Sequence, residues 1–296
     1  MEEKVSNKTK PVLLIVDSNA LIHRAYHALP PLTTASGDLI NAAYGFFSLL
    51  FKAIREMAPQ YIVTTFDSPG PTFRQKIYPA YKATRVKAPQ ELYDQIPQIK
   101  KLLNLLEIPI IAREGYEADD LIGTIAREVK KINIIILSGD KDLLQLVNDR
   151  TKVMLLKKGL SQVEIYDREA VKQKYEGLKV DQLLDLKALQ GDRSDNIPGA
   201  PGIGEKTAIK LLKQFGSLDN LYKEMGYGLA EIEERKQTIL RENYQQILLS
   251  RELGKIKQDV EIDFELEKCS QKSYNKEQAK KAFQALGFNR LINYLP

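Results

Sequence analysis

The chain has 296 residues, of which 43% are hydrophobic and 28% charged, with a formal net charge of +5. That length holds one large domain or two ordinary ones, and the balance is that of a globular chain. The single cysteine, Cys269, excludes an internal disulfide and a cysteine-cluster zinc site. No apolar run approaches the ~20 residues of a membrane span, and the modest positive charge permits a nucleic-acid partner without requiring one.

The polar start, MEEKVSNKTK, reads as a loose tail over residues 1–10 and not as a signal peptide. Short apolar runs then follow at VLLIV (12–16), YIVTTF (61–66), IPIIA (108–112), NIIIL (133–137) and KVMLL (152–156). Runs without polar alternation suit strands buried on both faces of a parallel sheet. Helical patterns separate them, at AYGFFSLLFKAIREM (43–57), ELYDQIPQIKKLLNLL (91–106) and DDLIGTIAREVKK (119–131). This alternation predicts an α/β fold with a mostly parallel central sheet flanked by helices. After about residue 166 the strand signals stop, and glycine-broken helical stretches take over. The division expected is an α/β domain over 11–180 and a helical region over 181–296.

Acids fall where the strands end. Asp17 directly follows VLLIV, Asp67 follows YIVTTF, and Asp140 and Asp142 follow NIIIL, while GYEADD (115–120) brings Glu117, Asp119 and Asp120 after IPIIA. GDRSDN adds Asp192 and Asp195. Taken alone, GYEADD is better explained by a helix start, where the dipole favours acids. Helix caps do not explain acids following strand after strand. The carboxyl edge of an open α/β sheet is where ligands bind. So many carboxylates in one cleft stay ionised only with compensation, and Mg²⁺ or Mn²⁺ supplies it without any Cys or His. Two such ions about 3.5–4 Å apart are the usual device for phosphodiester hydrolysis.

Residues 71–90, PTFRQKIYPAYKATRVKAPQ, carry Arg74, Lys76, Lys82, Arg85 and Lys87 with no acid, and interleave Phe73, Tyr78 and Tyr81. The stretch reads either as a solvated loop or, since it starts four residues after Asp67, as an element contacting a nucleic-acid strand through cations and stacking rings. Further on, NIPGAPGIGEKTAIKLLKQFGSL is not a Walker A loop, because Glu205 separates Gly204 from Lys206. It reads as a helix-hairpin-helix at about 196–215, in which Gly202 and Gly204 admit close backbone approach and the helix start binds a phosphate beside Lys206 and Thr207. A plain joint between two helices is the bland alternative. His23 and His27 lack the Glu of a zinc HExxH, since Arg24 stands there. Arg24 and Tyr26 are the stronger candidates for phosphate and base contacts.

Taken together, VDSNALIHRAYHALPPL, NAAYGF, FDSPGPTFRQKIYPAYKATR, GYEADDLIGTIARE, SGDKDLLQLV and QGDRSDNIPGAPGIGEKTA resemble the 5′ nuclease (5′-3′ exonuclease) domain of bacterial DNA polymerase I, in the flap endonuclease family. The resemblance runs from about residue 11 to the end. It implies a PIN-like fold with a helical arch at about 71–90 and a C-terminal helix-hairpin-helix region. It implies that Asp17, Asp67, Glu117 and Asp119 hold a first metal, that Asp140, Asp142 and Asp195 hold a second with Asp119 bridging, and that Asp120 and Asp192 are outer acids. It further implies that Lys82 assists at the scissile phosphate, that Arg74 and Arg85 are further basic arch positions contacting DNA with Lys76 and Tyr81, and that K⁺ sits against carbonyls near Gly202 and Gly204. Ser18 and His23 depart from the family's usual Gly and Tyr.

The implied activity is two-metal, structure-specific 5′-3′ exonuclease and flap endonuclease cleavage of DNA near 5′ single-strand/duplex junctions, with Lys82, Arg85, Asp119 and Asp142 at its centre. Implied substrates are flap, nicked and primer-template DNA and RNA primers. A polymerase acting in cis or trans, a monomeric state, no membrane and a bacterial, cytoplasmic, nucleoid-associated setting complete the expectation. The alternatives are an inactive DNA-structure-binding module, or a ribonuclease acting on free single strands.

Overall fold

The computed structural model describes residues 10–157, 159–160, 162–271 and 273–296. The loose tail expected over 1–10 lies, apart from Lys10, outside the described residues. Strands β1 (Val12–Asp17), β2 (Tyr61–Thr65), β3 (Ile110–Ile111), β4 (Asn133–Ser138), β5 (Thr151–Leu156) and β6 (Val163–Tyr166) form one sheet in the order β3-β2-β1-β4-β5-β6. All neighbours run parallel except β5 and β6. The mostly parallel sheet expected from the apolar runs is therefore the one that forms. β6, a four-residue edge strand with Glu164 and Ile165 exposed on its two faces, was not among those runs because Glu164 interrupts its apolar residues.

The helices are α1 (Ser18–Ala28), α2 (Asn41–Met57), α3 (Phe73–Ile77), α4 (Gln90–Tyr93), α5 (Ile96–Leu105), α6 (Ala118–Glu128), α7 (Arg168–Lys174), α8 (Leu183–Gln190), α9 (Glu205–Phe215), α10 (Leu218–Gly226), α11 (Glu234–Glu242), α12 (Tyr244–Gly254), α13 (Lys276–Ala285) and α14 (Asn289–Ile292). None is long and apolar enough to cross a membrane. The single helix expected over 91–106 breaks into α4 and α5, where Pro97 favours a new first turn. The break is used: the Gln95 amide oxygen accepts from the N–H groups of Ala42 and Ala43 at 2.9 and 3.2 Å, completing the start of α2.

Alternation along the strands divides the core. Leu14, Val16, Ile62, Leu137 and Met154 face α1, α2 and α5, whereas Leu13, Ile15, Val63, Ile136 and Val153 face α6, α7 and a 3₁₀ turn at Lys141–Leu146. A third apolar cluster joins α8 through α12 around Leu189, Ile203, Leu212 and Leu221. The segment expected as one helical region over 181–296 divides in space. Its final part returns to the sheet, where Phe283 and Phe288 pack among Phe47 and Phe51 of α2.

The register sets the site. Asp17 pairs with Thr65, and Val16 with Leu137, so β1, β2 and β4 end at one edge. The chain runs from β1 to β2 and β3 on one side and to β4 and β5 on the other, which makes this edge the crevice of a topological switch point.

Candidate active site

Asp17 ends β1 and is buried. One carboxylate oxygen accepts from Ala20 N–H at 3.1 Å, capping α1, and the other accepts from the Ser138 hydroxyl at the end of β4. Burial nevertheless pushes it up to about 7, with nearby Asp67 and Asp140 adding to the rise. Asp67, two residues beyond β2, accepts from Ala118 N–H at 2.8 Å at the start of α6, and it too is raised by burial. Asp119 lies in the first turn of α6, where burial and then the neighbouring charges of Asp140 and Asp17 push it well above the usual carboxylate range. Asp140 caps the 3₁₀ turn by accepting from Asp142 N–H at 2.9 Å. The three strand-end acids Asp17, Asp67 and Asp140 thus meet Glu117 and Asp119 at the start of α6.

A second group lies beside them. Single oxygens of Asp142, Asp192 and Asp195 come within 4.8 Å of one another. Asp192 and Ile197 bridge across a tight turn that presents Asp192 and Asp195 together. The loop closes by direct backbone contact, since a Cβ on Gly199 (φ +61°) would stand 2.3 Å from the nitrogen of Gly191. Only glycine fits there. Asp142 is raised to about 6 by burial. Burial acts the same way on Asp192, but the Lys187 ammonium and Ser194 outweigh it and hold that carboxyl at about 2.

Lys187 was missed in the sequence. It projects from the buried face of α8, pairs with Asp142, and lies 2.8 Å from Asp192 and 3.8 Å from Asp195. A lone Lys inside the apolar run LLDLKALQ, five residues before Asp192, was the available signal.

Two cations of the 71–90 stretch also face the acids. Lys82 Nζ donates to Glu117 at 2.7 Å, and Arg85 pairs with Asp195. Lys82 takes a left-handed backbone (φ +56°) and its N–H donates to the Asp195 carbonyl at 2.8 Å, so the turn is held against the 194–196 loop. Of the expected helical arch, only α3 is helical, because Pro79 follows at once and turns carry the chain to residue 84.

Four site expectations need correction. Arg74 is 3% exposed and lies beneath the cleft instead of facing a DNA strand. Its guanidinium pairs with both oxygens of Asp120 at 2.7 Å. Asp120 is fully buried and accepts as well from Glu117 N–H at 3.2 Å and Lys257 N–H at 2.9 Å, so its oxygens are not turned to the metal-binding edge. Tyr81 is 3% exposed and donates to Glu117 at 3.1 Å, which leaves no ring face for a base. Tyr26 is also displaced. Arg24, His23 and His27 line a cleft of about 790 Å³ with Asp140, Asp142, Lys187 and Asp192, but Tyr26, about 200° round α1 from Arg24, packs on the core instead. Lys76 is exposed on α3.

At the hairpin, Ile203 is buried while Gly202 (φ +82°), Gly204 and Lys206 are exposed, with Thr207 half-buried behind them. Gly204 precedes α9, whose first residue, Glu205, stands at the rim of the acid cleft. The clustered donors are carboxylate oxygens without Cys, and those raised by burial have most to gain from a compensating cation. That donor set fits hard divalent metals.

Two family models match the chain: 5′-3′ exonuclease, N-terminal resolvase-like domain, over residues 12–176, and 5′-3′ exonuclease, C-terminal SAM fold, over residues 178–277. DNA polymerase I of Bacillus subtilis (strain 168) is 43% identical over 286 residues, covering 96% of this chain and 32% of that protein. DNA polymerase I of Chloroflexus aurantiacus is 44% identical over 295 residues, covering 97% and 31%. The chain thus spans about a third of the length of these curated relatives. Among solved structures, T5 D15 protein co-crystallised with metal ions aligns with a TM-score of 0.68 at 17% identity, covering 96% of this chain and 97% of that one. The catalytic core of Rad2 in complex with DNA substrate aligns at 0.62 and 17%, covering 97% and 93%. These two are likenesses of fold.

Proposed function

The chain belongs to the 5′-3′ exonuclease family, and from that premise we propose that it is a metal-dependent, structure-specific 5′ nuclease. It hydrolyses DNA phosphodiesters near 5′ single-strand/duplex junctions and leaves 5′-phosphate and 3′-hydroxyl ends. The observation that carries this reading is the meeting of two acid groups at one sheet edge, with Lys82, Arg85 and Lys187 on their carboxylates.

Asp17, Asp67, Glu117 and Asp119 would hold one divalent ion, and Asp140, Asp142, Asp192 and Asp195 another, Mg²⁺ or Mn²⁺. Such ions, when bound, supply an activated water and stabilise charge on the leaving oxygen. The protein's own groups do the rest. Ser138 and Ala20 fix the Asp17 carboxylate before any ligand arrives, so little reorganisation is needed. Lys82 and Arg85 reach the acids from the 71–90 turn, and a phosphate entering the cleft meets both cations. Arg24 extends the positive wall. The exposed hairpin at Gly202 and Gly204, followed by Lys206 and Thr207, grips a duplex backbone independently of sequence. K⁺ against the Gly202 and Gly204 carbonyls would strengthen that grip.

The polymerase relatives that share this region, and a similar fold solved in complex with DNA substrate, support DNA as the substrate, and flap and nicked DNA are the forms proposed. RNA primers, a polymerase acting in cis or trans, a monomeric nuclease and nucleoid DNA in a bacterial cytoplasm complete the proposal. The division into an α/β nuclease unit over 11–180 and a helical DNA-binding unit beyond it belongs to the same reading.

The test is cleavage of a 5′-labelled double-flap DNA beside the same strand free in solution. Cutting confined to the junction is expected. Equal cutting of the free strand would instead favour an enzyme that acts on free single strands and has no use for the hairpin.

A further inference from the structure

We propose that Arg74 is a positioning residue, clamped with Asp120 beneath the site, and that it sets the Glu117 carboxylate by tying it to the segment that follows the hairpin helices. The proposal rests on the reading of Glu117 as a metal-holding carboxylate.

The argument is a full count of donors and acceptors. A guanidinium has five N–H donors. In Arg74, Nε donates to the Leu253 carbonyl at 2.8 Å, one terminal nitrogen to Asp120 at 2.7 Å and Glu117 at 3.2 Å, and the other to Asp120 at 2.7 Å and the Lys255 carbonyl at 2.7 Å. All five are used, so none remains for a phosphate. An ionised carboxylate offers about four acceptor positions. Those of Asp120 take two bonds from Arg74, one from Glu117 N–H and one from Lys257 N–H. Neither side chain can engage a metal or DNA without breaking this set.

The connections run outward from there. The segment after α12 lies flat on α6, where a Cβ on Gly123 would stand 2.7 Å from Ile256 and from the Lys257 carbonyl. Val260 N–H donates to Thr124 at 3.2 Å in the same contact. At its other end α12 holds the hairpin loop, since Ser250 accepts from Gly199 N–H at 3.0 Å and Gln246 donates to the Gly199 carbonyl at 2.6 Å. Glu117 is thereby joined to the hairpin through Arg74, the Leu253 and Lys255 carbonyls and α12. Tyr81 and Lys82 hold the remaining sides of the Glu117 carboxylate.

The test uses the whole chain and Mn²⁺ as probe. Calorimetric Mn²⁺ affinity, flap binding in EDTA and single-turnover cleavage are compared for the parent, R74K, D120N and the double variant R74K/D120N. Lysine keeps the charge but cannot reproduce a planar fork. R74K should weaken Mn²⁺ binding about 10–100-fold, the range for residues that orient metal ligands, and slow cleavage, with flap binding in EDTA within about twofold. The double variant should be no worse than the worse single one. If R74K lowers flap affinity in EDTA and leaves Mn²⁺ binding intact, Arg74 is a phosphate contact and the proposal fails. Additive loss of Mn²⁺ affinity in the double variant would make Asp120 an independent ligand and also overturns it. Should the single variants melt early, R74M/D120L removes both buried charges together, and it too should bind Mn²⁺ weakly while folded. Retained Mn²⁺ affinity in folded R74M/D120L defeats the proposal. Absence of Mn²⁺ binding in the parent would defeat the metal-site reading itself, an outcome distinct from these.

Discussion

The Lys187 ammonium lies 2.8 Å from Asp192, and the same nitrogen pairs with Asp142 and stands 3.8 Å from Asp195. A cation carried by α8 thus sits among the acids proposed to hold the second metal. Removing it should expose their repulsion. In EDTA near pH 8, K187M should lose roughly 3–5 kcal/mol of stability, the usual cost of breaking a buried pair from one side. Divalent metal should recover much of the loss. Thermal melts with EDTA and with Mg²⁺ check this, and a variant as stable as the parent in EDTA would count against the arrangement.

The raised acids predict an unusual pH profile. Asp17 is raised to about 7 and Asp142 to about 6, mainly by burial, while in the unfolded chain both titrate near 4. Between those values the folded state binds more protons than the unfolded state, so the contribution of these two acids to stability falls as pH rises. Asp192, held at about 2, has the opposite sign, and its contribution is lost only below about pH 4. In EDTA the melting temperature should decline from about pH 5 to 8, and D17N should flatten the decline. Calorimetric divalent affinity should rise over the same window, because metal must displace those protons.

Lys82 faces Glu117 from a turn whose backbone is fixed by Asp195. K82A should slow single-turnover flap cleavage on the order of 10²–10³-fold, the scale of one charge-stabilising donor lost. Its melting temperature in saturating Mg²⁺ should match the parent. An unchanged cleavage rate would remove Lys82 from the mechanism.

Phe283 tests the return of α13 to the sheet. It is fully buried and stacks near Phe47, Phe51 and Phe288. F283A should cost about 3–5 kcal/mol, the range for a large core ring. Chemical denaturation measures the loss, and Mn²⁺ affinity of the folded fraction should stay near the parent's.

The acids were legible because a parallel sheet ends all its strands at one edge, so an apolar run followed by Asp already states where that Asp lies. Asp17, Asp67 and Asp140 needed nothing more. Arg74, Asp120 and Tyr81 were misread because their partners are remote in sequence. No local pattern says that the carbonyls of Leu253 and Lys255 will claim a guanidinium at position 74. Lys187 was overlooked for a related reason, since a lysine in an apolar helix is ordinarily one whose stem is buried and whose head reaches water. The return of Phe283 to the first core face was hidden in a segment, KEQAKKAFQAL, whose amphipathic pattern names no partner.

The most direct measurement is binding and cleavage of a 5′-labelled double-flap DNA by the parent, D119A and D142A, in Mg²⁺ and in EDTA. The parent should bind in both and cut only in Mg²⁺, at the junction, while both variants bind and do not cut. Cleavage by the parent in EDTA, or turnover near the parent's rate in either variant, would contradict the assignment of these acids to a metal-dependent nuclease site.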